Sequence, residues 1–258
     1  MSDLYREQAG EGPPVVLVHA GICDSRMWDP QWRTFPRSHT TIRYDLRGFG
    51  RSPLLPGPFS HARDLVGLLD ELDLEQTALV GNSQGGQTAL EVAVAEPDRV
   101  ERLVLIDPGL PGHSWSQDTR AGWAEEEAAY LRGDLDAAAE IAVQMWVVGP
   151  GRSADDVDPG VQGRVREMQQ RAYELELATG KDAQEELLVE NLLERAREIK
   201  APTLVLTGEE DREDMQAIAD RLAAEIPDAR RASIPGAAHL PSLERPDEFD
   251  RLVLEFLA

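Results

Sequence analysis

Short apolar runs, separated by amphipathic stretches of helical period, organise the first and last parts of the chain. Val15-Val16-Leu17-Val18, Thr41-Ile42-Arg43-Tyr44, Thr77-Ala78-Leu79-Val80, Leu103-Val104-Leu105-Ile106, Thr203-Leu204-Val205-Leu206-Thr207 and Arg231-Ala232-Ser233-Ile234 read as strands. Most of these runs lack inside–outside alternation, which suits strands covered on both faces. Residues 4–8 predict a short edge strand before a Gly/Pro turn at 10–14. Ser60 is placed to cap a helix to about Leu72, with Leu65, Val66, Leu68, Leu69 and Leu72 inward. Further helices are predicted over 25–32, beneath a pocket, and over 87–94, 213–225 and 246–257. This alternation predicts an α/β fold with a doubly wound, mostly parallel sheet.

From about residue 110 to 200 the strand-type runs stop. Helical segments are predicted at 119–131, 134–148, 160–179 and 182–197, separated by Gly149-Pro150-Gly151 and Asp158-Pro159-Gly160. An all-helical block between two strands of one sheet reads as an inserted cap, 110–200, on a core formed by 1–109 and 201–258. Trp115, Trp123, Met145, Trp146 and Tyr173 fall in this block and are candidates to line an apolar pocket facing Ser83. Helical packing within the cap is the competing reading for each of them.

The chemistry centres on Gly81-Asn82-Ser83-Gln84-Gly85-Gly86, which follows an apolar strand and opens a helix. Strand, tight Gly-bounded Ser turn and helix form a nucleophile elbow, which pushes the serine Oγ above the sheet edge. A serine hydroxyl needs a base within hydrogen-bond reach, and the base needs an orienting group. His239, in a Gly/Ala loop after the last strand, is the candidate base, and Asp211, just past its own strand, the candidate orienter. Their order, Ser83…Asp211…His239, is that expected for an elbow of this type. The Gln84 N–H is one candidate oxyanion donor, and the loop His19-Ala20-Gly21-Ile22 supplies the other, Gly21 first and Ile22 second. Asp214 and Glu210 are minor rivals to Asp211. Ile22, Trp28 and Leu240 join the candidate substrate contacts. His19 is expected to be structural, His39, His61 and His113 to lie at the surface, and Cys23 to pack. The Gly-rich turn Asp45-Leu46-Arg47-Gly48-Phe49-Gly50-Arg51-Ser52 reads as structural, held by Asp45 and Arg47.

Net charge narrows the partners. With 26 basic and 48 acidic residues the chain carries −22, which repels nucleic acid and anionic membrane surfaces. A small, mostly neutral substrate fits that field. One cysteine excludes an internal disulfide, and neither a signal core nor a membrane span is visible, so a cytoplasmic monomer or homodimer is expected. The five histidines show no metal-ligand spacing, and neither a metal nor a cofactor is expected.

Across nearly its whole length the chain resembles the α/β-hydrolase superfamily, in the serine branch with a helical cap inserted after the sixth strand. The matching segments are His19-Ala20-Gly21, the 45–52 turn, the 81–86 elbow, Gly208-Glu209-Glu210-Asp211 and Gly236-Ala237-Ala238-His239. Many members have His-Gly where this chain has His19-Ala20. Some members place the acid after the sixth strand, which makes Asp107 the rival to Asp211. The resemblance implies a serine hydrolase cleaving a small ester, lactone or thioester through an acyl-enzyme. The same triad serves C–C bond hydrolases and lyases, and receptors resembling this superfamily bind small molecules with little turnover. Epoxide hydrolases and haloalkane dehalogenases resemble it too, but carry Asp where this chain has Ser83.

Overall fold

A computed structural model describes residues 3–179 and 182–258. The central sheet has seven strands in the order β1-β3-β2-β5-β6-β8-β9. These are β1 (Arg6–Ala9), β2 (Pro14–Val18), β3 (Thr40–Tyr44), β5 (Thr77–Asn82), β6 (Val100–Ile106), β8 (Thr203–Gly208) and β9 (Ala229–Ile234). Only the edge strand β1 is antiparallel to its neighbour; every other pairing is parallel. The expected doubly wound α/β architecture is present.

The apolar runs are continuous because both faces of the sheet are covered. In β2, Val16 and Val18 join one core and Val15 and Leu17 the other, following the two-residue strand period. The first core is closed by α1 (His61–Glu71), α2 (Gln84–Ala95) and α7 (Glu213–Glu225). The second is closed by α9 (Pro246–Leu257) through Phe249, Val253 and Leu257, with Trp28 and Phe35 beside them. Ser60 caps α1, its side chain accepting from the Arg63 N–H.

Between β6 and β8 lie α3 (Gln117–Leu131), α4 (Leu135–Ala142) and α5 (Pro159–Thr179), as the helical pattern predicts. This block also feeds the second core through Val143, Val147, Val165 and Met168. Residues 180 and 181, inside the expected cap, lie outside the described residues. Three local expectations are corrected. The 25–32 segment forms two 3-10 turns, Ser25–Trp28 and Gln31–Arg33, because Pro30 has no N–H to continue an α-helix. The 134–148 helix gives way after Ala142 to a π-helical turn, Val143–Val148. The helix expected at 182–197 is absent. Its start is β7 (Ala183–Glu185), parallel to β4 (Gly57–Phe59), and only α6 (Leu192–Arg195) is helical before a 3-10 turn at Ala196–Glu198. The short α8 (Pro241–Glu244) completes the set.

Candidate active site

Ser83 sits between β5 and α2 with φ 54° and ψ −113°, in the positive-φ region that side chains avoid. The glycines around it are required by contact. A Cβ on Gly81 would lie 2.2 Å from the Gly85 carbonyl oxygen, and one on Gly85 would lie 2.2 Å from that of Val18. The turn is pinned by the Ser83 N–H donating to the Ile106 carbonyl at 2.9 Å. Gln84 opens α2, so its N–H is a first-turn donor with no acceptor inside the helix.

His239 follows β9 in the loop leading to α8. Its Nδ1–H donates to Asp211 Oδ2 at 2.7 Å, with both side chains almost wholly buried. That bond fixes the tautomer and leaves Nε2 as the free lone pair. The remaining Asp211 oxygen accepts from the Arg212 N–H at 2.8 Å. The loops carrying the two residues are tied together by the Glu210 N–H donating to the Ala237 carbonyl at 2.9 Å. The Trp146 ring covers the imidazole, with centroids 4.6 Å apart.

Asp107, the rival acid, is fully buried beside this pair. Its Oδ2 accepts from the Gly208 N–H at 3.2 Å, while Oδ1 has no partner. Burial, and then the neighbouring Asp211 charge, push its carboxyl far above the usual carboxylate range. Both effects favour the neutral form of Asp107. Asp107, Asp211 and His239 have ligand-type atoms within 4.8 Å of one another. Two ligands held about 2.0–2.2 Å from one tetrahedral ion stand more than roughly 3 Å apart, so the 2.7 Å Asp211–His239 contact accommodates a proton rather than a metal. Of the other rivals, Asp214 is occupied by Ser116, Thr119 and His113, and Glu210 is exposed.

Ser83 and His239 line one cavity of about 290 Å³ together with Gly21, Ile22, Gln84 and a wall of Trp115, Trp123 and Trp146. Trp28, Met145, Tyr173 and Leu240, expected at this pocket, do not line it. Trp28 is buried against Phe249, Leu240 is buried in the second core, and Met145 packs where a Cβ on Gly122 would meet its sulfur at 2.5 Å. Gln87, Leu110 and Met215 line the cavity without having been anticipated. Gln87 was readable, since it follows Ser83 by one helical turn and so shares its face. No lysine or arginine lines this cavity among the described residues.

The remaining expectations divide. His19 is structural: Nδ1–H donates to the Ala20 carbonyl and Nε2 accepts from the Leu46 N–H, both at 2.8 Å. Cys23 is buried. His39, His61 and His113 are not surface residues; all three side chains are largely buried, His113 on Asp214 and against Trp115. Asp45 holds the 45–52 turn by accepting from the Ser25 and Arg51 N–H groups, but Arg47 turns away to make two hydrogen bonds to Asp64. No helix among the described residues is long and apolar enough to cross a membrane.

The model of the alpha/beta hydrolase family matches residues 15–252. A 2-hydroxy-6-oxononadienedioate/2-hydroxy-6-oxononatrienedioate hydrolase of Comamonas testosteroni is 30% identical over 264 residues, covering 99% of this chain and 91% of its own. A pimeloyl-[acyl-carrier protein] methyl ester esterase of Nitrosospira multiformis is also 30% identical over 264 residues, covering 98% of this chain and 97% of its own. Among solved structures, the enol-lactonase of Burkholderia xenovorans superposes with a TM-score of 0.81 at 26% identity, over 98% of this chain and 96% of that one.

Proposed function

Because the chain belongs to the alpha/beta hydrolase family, we propose that it is a serine hydrolase of small, uncharged carboxylic esters or lactones, working through an acyl-enzyme on Ser83. The observation that carries this is the 2.7 Å Asp211–His239 bond, made beside the same cavity into which the strained Ser83 turn opens. His239 Nε2 takes the Ser83 proton as Oγ attacks the acyl carbon. The Asp211 carboxylate steadies the imidazolium that forms. The N–H groups of Gly21 and Gln84 hold the oxyanion, each contributing about 3–4 kcal/mol to the barrier. His239 then protonates the leaving alkoxide, and water activated by the same nitrogen releases the acid. No hydrogen bond joins Ser83 Oγ to His239 among the described residues; such contacts commonly tighten only when substrate enters.

Residues 110–200 are proposed to act as the cap that supplies the tryptophan wall and keeps water from the acyl-enzyme. C–C bond cleavage is the second reading, favoured by the likeness to the Comamonas hydrolase. The cavity speaks for the neutral ester, because a dienedioate would carry its carboxylates into a site with no arginine or lysine among the described residues to meet them. The deciding experiment compares p-nitrophenyl acetate and a 2-hydroxy-6-oxodienoate as substrates for the parent and for Ser83→Ala. Ester turnover lost by about 10⁴-fold in Ser83→Ala, with fluorophosphonate labelling of the parent alone, supports the proposal. Ester hydrolysis unchanged in Ser83→Ala overturns it.

A further inference from the structure

The 290 Å³ cavity over Ser83 is at the lower limit for a ligand site, but it is not isolated. A second cavity of about 770 Å³ lies against it, and the two share Gly21 and Gln84. The partition is the Gln84 side chain. It stands close enough to Gly21 that a Cβ there would meet Gln84 Cβ at 3.3 Å, and its Nε2–H donates to Glu185 Oε1 on β7 at 2.9 Å.

The second cavity is mainly apolar and aromatic, with Phe49, Leu54, Phe59, Tyr173 and Leu177 in its wall. Leu131 and Leu177, 68% and 52% exposed, are among its lining residues and among the few large apolar side chains left open to solvent. Among the described residues the polar groups there offer no free cation. Arg47 is held by both oxygens of Asp64, and burial keeps His61 neutral. Glu176 and Glu185 add negative charge.

The position of the proton donor orients a substrate across the two cavities. His239 lines only the smaller one, so the leaving alcohol that it protonates must lie there. Gly21 and Gln84, the proposed oxyanion donors, sit at the junction, so the carbonyl is held at the boundary. The other substituent of that carbonyl, the acyl arm, then points past Gln84. Resting on the serine-hydrolase reading, we infer that the 770 Å³ cavity is an acyl compartment, and that the preferred substrates are esters of small alcohols with long, uncharged acyl arms.

Three methyl esters and one octyl ester test this. Methyl octanoate and octyl acetate differ by a single methylene in size, and chiefly in which side of the carbonyl carries the long chain. The parent enzyme is expected to hydrolyse methyl octanoate with a kcat/KM roughly tenfold or more above octyl acetate, and above monomethyl octanedioate by a similar factor. In Ala172→Phe, which fills the larger cavity from α5, and in Leu177→Trp, which narrows its exposed side, the ratio of methyl octanoate to methyl acetate kcat/KM should fall by about tenfold. Octyl acetate equal to or better than methyl octanoate, or an unaltered ratio in both variants, overturns the acyl compartment while leaving the hydrolase reading intact. Failure to hydrolyse any of the four esters, with no fluorophosphonate labelling of Ser83, overturns the hydrolase reading itself and this inference with it.

Discussion

Asn82 donates its side-chain amide to the carbonyl of His239 at 3.1 Å. The same Nδ2 donates to the Ile106 carbonyl at 3.2 Å, and the residue is fully buried. The position immediately before Ser83 thus fastens the His239 loop to the β5–α2 turn. Two of the three side chains of the proposed triad are held in register by one amide, independently of the Asp211–His239 bond.

Asn82→Ala should therefore lower kcat more than KM. Both carbonyls lose a buried donor, costing about 1–3 kcal/mol of stability. A displacement of His239 by a fraction of an ångström to 1 Å should cost roughly 10- to 100-fold in kcat. Urea midpoints and steady-state kinetics on a short ester measure the two effects. An unchanged kcat with lowered stability would show that the amide serves folding alone.

The Asp107–Asp211 pair gives a sharper contrast. Burial favours the neutral form of Asp107, so Asp107→Asn keeps that form's charge and shape, and its amide can donate to Asp211 while its oxygen still accepts from Gly208. Activity should stay within about threefold of the parent. Asp211→Asn removes the charge that stabilises the imidazolium and favours the wrong tautomer, and kcat should fall by about 10⁴. Reversal of that order would make Asp107 the orienting acid.

What the sequence made legible follows from which physical constraints are local. Strands buried on both faces announce themselves as apolar runs, and the elbow is visible because its backbone contacts at Gly81 and Gly85 leave no space for Cβ. The 182–197 segment was misread because its leucines and glutamates favour a helix, while distant partners decide its path. Phe59 receives the Glu186 N–H, and Glu91 on α2 accepts from Leu188 at 2.6 Å and Val189 at 3.3 Å. Trp28, Met145 and Leu240 show the second limit: an apolar side chain looks the same in sequence whether it faces a cavity or a core. Histidine burial was equally invisible, since the rings of Phe49 and Phe59 that enclose His61 converge only in three dimensions.

His61 has a measurable signature. Burial, then the nearby His19 and Arg47, lower its pKa from 6.5 to about 3. Between those values the unfolded chain binds a proton that the folded chain refuses, so stability rises with pH across this window. The contribution is complete above pH 6.5 and is lost as pH falls towards 3, by at most about 1.4 kcal/mol per unit. His61→Phe should flatten the pH dependence by that amount between pH 6.5 and 5, read from urea midpoints of parent and variant. Parallel curves would mean that folded His61 takes up its proton as readily as the unfolded chain.

Asp214 connects the helical block to the His239 imidazole. It lies on α7 and accepts from the Ser116 N–H at 2.9 Å, Ser116 Oγ–H at 2.7 Å, Thr119 Oγ1–H at 2.6 Å and His113 Nε2–H at 3.2 Å. Burial raises its pKa, but the hydrogen bonds from Thr119, Ser116 and His113 outweigh that and bring it to about 2. The depressed value means that its stabilisation is present above about pH 4 and fades as pH falls towards 2. From this anchor a row of rings runs inward: His113 on Trp115 at 4.9 Å, Trp115 on Trp123 at 4.8 Å, Trp123 on Trp146 at 6.1 Å and Trp146 on His239. Asp214→Ala strands several buried donors and should cost about 2–4 kcal/mol at pH 7, most of it vanishing near pH 2–3. Because Trp115 forms part of the cavity wall, KM for a short ester should rise several-fold, with kcat less affected. Asp214→Asn, which keeps the shape and two acceptor sites, should recover part of both. A loss of stability with no change in KM would show that the row of tryptophans holds its place without this carboxylate.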